Sequence, residues 1–135
     1  MTEPEPARPD LGAPRMRLSV GRGPLTTPVL VRSIGAFASR TSLSVDRIND
    51  IADILEAMAA SLPGDRITLT ARVEREGEGL QLSACGLEHG TARSLLSDVR
   101  HGGLARLLAV AADGVAVRSS SHEGESLVVT FAPPR

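Results

Sequence analysis

Two stretches near the middle of the chain alternate between apolar and polar residues, as a half-buried strand does. The segments 67–73 and 80–84 predict a β-hairpin joined by a turn at 75–79. In both segments the apolar residues fall on one face and the polar residues on the other. A sheet with this pattern is expected to be covered by helices on one side only.

Elsewhere apolar residues recur every three or four positions, which predicts helices. The first helix is expected to begin at Thr27, as N-cap, with Pro28 as its first residue, and to end near Arg40. The second is expected to begin at the N-cap Ser44 and to end at 63–64, a Pro-Gly pair. Its apolar stripe is the most regular in the chain and comprises Val45, Ile48, Ile51, Leu55, Met58 and Leu62.

The remaining elements are shorter. The pattern predicts a first strand at 17–20, a third helix from 104 to 111, and two closing strands around 115–117 and 127–131. Residues 86–103, punctuated by glycines, are predicted to form a long loop. Clustered helices and paired strands in this order predict an α+β two-layer sandwich. Residues 1–15, rich in proline, are predicted to be a disordered tail, and residues 16–132 a single domain.

The amino-acid composition excludes several kinds of functional site. All 15 basic residues are arginine, so the 135-residue chain has no lysine for a Schiff base or a phosphate-binding loop. Cys85 is the single cysteine, which excludes an internal disulfide. A net charge of -1 and only two aromatic residues argue against nucleic-acid binding. Without an apolar stretch of about 20 residues or an apolar leader, we expect no membrane segment and a cytoplasmic location.

Two motifs in the last third of the chain carry a family resemblance. The segment 101–119 reads H-G-G-L-A-R-L-L-A-V-A-A-D-G-V-A-V-R-S, and the segment 123–131 reads E-G-E-S-L-V-V-T-F. Their glycine pair, helix, aspartate and closing strand resemble the nucleotide-binding fold of GHKL-type, histidine-kinase-like ATPases. Among these the chain looks most similar to the small bacterial anti-sigma regulatory serine kinases. The resemblance covers roughly residues 16–132 and implies a Bergerat-like fold with a mixed sheet.

The resemblance also implies where a nucleotide site would lie. In that family an asparagine on the second helix holds Mg²⁺, a glutamate one turn earlier acts as a base, and an aspartate in a D-x-G-x-G turn binds adenine. The matching positions here are Ser61, Ala57 and Ala84, while Gly86 keeps a glycine and Glu88 replaces the second one. The only asparagine, Asn49, lies 12 residues before Ser61. These departures predict a degenerate site with no catalytic and no metal-binding residue.

Three functions remain open at this point. The first is a regulator that sequesters a sigma factor or an anti-sigma antagonist, with lost or weak ATP binding. The second is an active ATP- and Mg²⁺-dependent serine/threonine kinase of the same family. The third is a structural subunit that uses the fold to form a homodimer or larger assembly. If nucleotide is bound, the residues expected to line it are Ser61, Gly86, Gly102, Gly103 and Ser126.

Other reactive side chains have simpler interpretations. The histidines His89, His101 and His122 fall in predicted loops, without the spacing of a metal triad, and are expected to be solvated. Cys85 is expected to be a small apolar filler rather than a nucleophile. The charged residues on the first two helices are expected to be solvated and to offer a surface for a protein partner. They are Arg32, Arg40, Arg47, Asp50, Asp53 and Glu56.

Overall fold

The computed structural model describes residues 14–74, 79–97, 103–122 and 124–132. Over these ranges the chain forms five strands and four helices. In chain order they are β1 (Arg15–Gly21), α1 (Thr26–Ala38), α2 (Val45–Ser61), β2 (Arg66–Val73), β3 (Leu80–Leu87), α3 (Thr91–Ser97), α4 (Leu104–Ala111), β4 (Gly114–Ser120) and β5 (Gly124–Phe131). No helix in the described ranges is both long and apolar enough to cross a membrane.

The strands form one open sheet in the order β1-β2-β3-β5-β4, and every described pairing is antiparallel. The expected mixed sheet is therefore wrong. The connection through α3 and α4 does bring β4 back in the direction of β3, as a parallel crossover would. However, β5 runs antiparallel to β4 and lies between β4 and β3, so the two parallel strands are not neighbours.

The hydrophobic core lies between one face of this sheet and the helices. Alternate residues of β2, β3 and β5 are fully buried there, and they meet the apolar stripes of α1, α2 and α4. The largest fully buried side chain is Phe131, at the end of β5. The two-layer α+β sandwich with helices on one face is confirmed. The opposite sheet face, which we call the open face, carries the polar residues of the alternating segments.

The start of α2 agrees with the prediction from the sequence, whereas the start of α1 differs from it. The Ser44 hydroxyl accepts a hydrogen bond from the Arg47 N–H, as expected of an N-cap, although Val45 is exposed rather than in the core. Helix α1 begins at Thr26 and not after Thr27, and it ends at Ala38, short of Arg40. The Thr26 hydroxyl joins the helix to β1, because it donates to the Gly21 carbonyl and accepts from the Gly23 N–H.

The segment 86–103 is not one long loop. Strand β3 continues to Leu87, and Thr91–Ser97 forms α3, whose Ala92 and Leu95 are buried. A β-bulge between Ala84 and Leu87 precedes this helix, and the positive φ of Gly86 (+70°) is the conformation that a glycine bulge requires. The bulge inserts one residue into β3, so that both Ala84 and Leu87 face the core.

Two arginines fasten α2 to its surroundings. The Arg22 guanidinium caps the carboxyl end of α2 by donating to the carbonyls of Ala59, Leu62 and Gly64. At the other end, Arg47 donates to the carbonyl of Ala111, so it is not the solvated side chain that the sequence predicted. Both contacts satisfy carbonyls near helix ends with a positive charge, which also suits the helix dipole.

Candidate functional site

A cavity of about 360 Å³ lies between the carboxyl end of α2 and the start of α3. Its lining brings together Ser61 and the residues before and within α3. They are Ser61, Pro63, His89, Gly90, Thr91, Ser94 and Leu95. Of the residues that the resemblance to GHKL-type ATPases implies for a nucleotide, Ser61, which matches the metal-binding asparagine of that family, lines this cavity.

The other predicted site residues are dispersed. Gly103 is the N-cap of α4, with a left-handed φ of +77°, and Gly86 forms the bulge of β3. Ser126 pairs with Arg118 on the open face, since its neighbour Leu127 points into the core. Gly102 lies outside the described residues. Of the four that are described, Ser61 lines the cavity and the other three do not.

The positions matched to the family's acidic residues carry no polar side chain. Ala57 is partly buried against the core, and Ala84 is fully buried within it. Ser61 adds one hydroxyl at the end of α2. Within the residues that the structure describes, no group of three or more histidine, cysteine, aspartate or glutamate side chains is placed to hold a metal ion.

A carboxylate that the sequence analysis missed lies beside the cavity. Glu125, the second residue of β5, is only 3% exposed and faces the helix layer. Its two carboxylate oxygens accept hydrogen bonds from the Gly90 N–H (2.9 Å) and the Ala92 N–H (2.6 Å). The exposed His89 ring lies 3.7 Å from the same carboxylate. Glu125 therefore caps the N–H groups at the start of α3 with a buried carboxylate of the chain itself.

These contacts set the charge state of Glu125. Its pKa is lowered below the ordinary value of 4.5, chiefly by the hydrogen bond from Gly90. Burial acts in the opposite direction, and the Ala92 N–H and the nearby His89 lower the pKa further. At neutral pH the group is therefore a carboxylate, and the N–H groups of Gly90 and Ala92, which an anion would otherwise use, are already bonded to it.

The lowered pKa predicts a pH-dependent effect of Glu125→Gln. Since the folded pKa is lowered, the stabilisation from this carboxylate is complete above the ordinary value and is lost as the pH falls through the folded pKa. We expect the variant to melt at a lower temperature than the wild type at pH 7, and the two curves to converge below about pH 4.5. Thermal unfolding followed by circular dichroism between pH 7 and pH 3 measures this. A difference that stays constant over that range would contradict it, and the exposed Glu88→Gln is the control.

The histidines and the cysteine behave as solvent-facing and structural groups. His89 and His122 are exposed in turns, as expected, and His101 lies outside the described residues. Cys85 is partly buried on the open face, where its Sγ contacts the Thr70 hydroxyl at 3.5 Å and the Ser83 carbonyl at 3.6 Å. Cys85 therefore lies on the opposite side of the sheet from the cavity and supplies no nucleophile there.

Comparison with known proteins places the chain in no family: no family model matches the sequence, and no curated protein matches it.

Proposed function

We propose that the chain is a regulatory domain that binds another protein and holds it in an inactive complex without using nucleotide. The observation that carries this proposal is the internal capping of α3 by Glu125. The N–H groups of Gly90 and Ala92 are engaged by a carboxylate of the chain itself, 35 and 33 residues away in sequence. A phosphate entering there would meet an existing negative charge, which repels it.

The chemistry of the cavity lining supports the same conclusion. The lining supplies hydroxyls, one imidazole and apolar surface, and none of its residues is aspartate, glutamate, asparagine or glutamine. Mg²⁺ in phosphoryl-transfer sites is held by carboxylate or carboxamide oxygens, together with the phosphates. A kinase built on this cavity would therefore lack the groups that position the metal.

The partner surface that we propose is the outer side of α1 and α2. The two helices pack against each other, and several of their charged side chains are exposed. On α2 the exposed charges are acidic (Asp46, Asp53 and Glu56), whereas α1 and the turn after it expose Arg32 and Arg40. By the resemblance to the anti-sigma serine kinases, the partner is a sigma factor or an anti-sigma antagonist.

Affinity purification from the native host, with and without Mg-ATP, tests the proposal. We expect a sigma factor or its antagonist to be retained equally in both conditions, and purified partner to bind the purified domain directly. The double variant Asp53→Arg/Glu56→Arg should lose the partner, whereas Arg93→Gln, which removes an exposed charge from α3, should retain it. Retention that requires Mg-ATP would favour an active kinase. Recovery of the domain alone, as an oligomer, would favour a structural subunit.

A further inference from the structure

The outer face of α1 and α2 carries its positive and negative charges on different helices. The exposed residues of α1, with one before the helix and one after it, form a row at spacings of three and four. Apart from Val45, the exposed residues of α2 form a second row at the same spacings. The first row is Leu25, Pro28, Arg32, Ala36 and Arg40, and the second is Asp46, Asn49, Asp53, Glu56 and Ala60. The charges of the first row are therefore all basic, and those of the second are all acidic.

These charges have no ion-pair partner among the residues that the structure describes. The described ion pairs are made by Arg47 and His89, which lie outside both rows. Asp53 and Glu56 are three residues apart and therefore neighbours on α2, and like charges on neighbouring positions destabilise a helix. Stability of the single chain therefore does not account for this pair of acidic residues.

The two rows match in height along the helix axes. Helices α1 and α2 run antiparallel, because Arg22, just before α1, donates to the carbonyls of Ala59 and Leu62 at the end of α2. With a rise of about 1.5 Å per residue, Arg32 lies at about the height of Asp53. By the same count Arg40, after the end of α1, lies near the height of Asp46, at the start of α2.

We propose that the outer face of α1 and α2 binds a second copy of the chain, related to the first by a twofold axis parallel to the helices. Such an axis places α1 of each copy over α2 of the other at equal height. Arg32 then meets Asp53 of the other copy, and Arg40 meets Asp46, and each pair occurs twice because the interface is isologous. A twofold axis perpendicular to the helices would instead place each row on itself and oppose like charges. Charge complementarity thus identifies both the occupant and its orientation.

The remaining residues of this face fit a close but weak contact. Ala36 and Ala60 present small side chains in the two rows. Leu25 and Val45, which are 70% and 73% exposed, lie at the two ends of the face and are two of the four large apolar side chains exposed in the described ranges. Because two short helices offer a small area and exposed ion pairs are screened by salt, we expect a weak, salt-sensitive dimer.

The second copy covers the surface that we assign to the protein partner. Self-association and partner binding therefore exclude each other, and the domain binds its partner as a monomer. This regulatory consequence rests on the proposed function, whereas the self-association does not.

Sedimentation equilibrium of the purified full chain, over about 5–500 µM and at low and high salt, tests the self-association. We expect a monomer–dimer equilibrium that weakens with added salt. Arg32→Asp and Asp53→Arg should each weaken the dimer at least about tenfold, because each replaces two ion pairs by two like-charge contacts. The double variant Arg32→Asp/Asp53→Arg reverses both charges and should dimerise within about threefold of the wild type. The melting temperature of each variant confirms that it is folded.

The matched control is Arg106→Asp, which changes the net charge as Arg32→Asp does but at an exposed position of α4. It should dimerise within about twofold of the wild type. A wild type that stays monomeric would overturn the proposal and leave this face to the protein partner alone. A dimer that the double variant fails to restore would also overturn it, because another surface would then be the interface. Failure to recover any protein partner from the host would remove the regulatory consequence and leave the dimer unaffected.

Discussion

Gly124→Ala is expected to lower the free energy of unfolding by about 2–4 kcal/mol, because two costs coincide at this position. Gly124 has a φ of +75°, in the left-handed region that favours glycine. A Cβ there would also lie only 2.7 Å from the backbone carbonyl oxygen of Leu87, which cannot move without disturbing the bulge in β3. Thermal and urea-induced unfolding measure the loss.

Gly35→Ala is the matched control for this prediction. Gly35 lies in the interior of α1, and a Cβ built there meets nothing within 4 Å. Alanine favours a helix over glycine by about 0.5–1 kcal/mol, so this variant should be more stable than the wild type. If Gly124→Ala were as stable as Gly35→Ala, the close approach of β5 to the bulge would be wrong. That approach is what carries Glu125 under the start of α3.

Arg47→Ala is expected to lower the free energy of unfolding by about 2–4 kcal/mol, because the substitution removes several contacts at once. It donates to the Ala111 carbonyl at 2.7 Å and to the carboxylates of Asp50 and Asp113, and its guanidinium lies 5.6 Å from the centre of the Phe131 ring. Asp113 also accepts from the Ala132 N–H at 2.7 Å. Arg47 thus joins the start of α2 to the end of α4 and the end of β5.

Two further variants separate this network from the charge alone. Arg47→Lys keeps the charge but loses the planar fork, so its stability should fall between that of Arg47→Ala and the wild type. Arg40→Ala removes an exposed arginine after α1 and should change the free energy of unfolding by less than about 0.5 kcal/mol. Equal effects of Arg47→Ala and Arg40→Ala would show that the network contributes nothing to the fold.

The sequence predicted correctly those helices and strands whose pattern depends only on their own residues. The alternation in β2 and β3 predicted the hairpin and the single covered face, and Ser44 marked the start of α2. Local patterns could not predict the strand order, because the position of β5 beside β3 depends on pairing between segments that are distant in sequence. The prediction of a mixed sheet therefore came from the resemblance and not from the strands themselves.

The short helix α3 was missed for a related reason. Its seven residues bury only two apolar side chains, too few for a helical period to stand out from the glycines around it. Its start is held by Glu125, which is remote in sequence. A signal for that carboxylate was nevertheless present, since Glu125 falls in the same alternation as Leu127 and Val129 and is therefore a charge on the core face of a strand.

The same alternation separates the two neighbouring residues at the start of β5. The motif match selected Ser126, whereas its neighbour Glu125 is the residue that faces the helix layer. A shift of one residue along a strand moves a side chain to the opposite face of the sheet. Similarly, Arg47 lies off the apolar stripe of α2 and looked solvated, because its partners come from the end of α4 and the turn after it.

Titration of the purified protein with Mg-ATP, followed by melting temperature, is the most direct test of the claim that this fold works without nucleotide. Mg²⁺ alone and Mg-ADP are the controls. A ligand present at 100 times its Kd would add about 2.7 kcal/mol to the free energy of unfolding, a shift of several degrees that is easily measured. The account predicts no shift at millimolar Mg-ATP. A saturable increase in melting temperature with Mg-ATP, absent with Mg²⁺ alone, would contradict it.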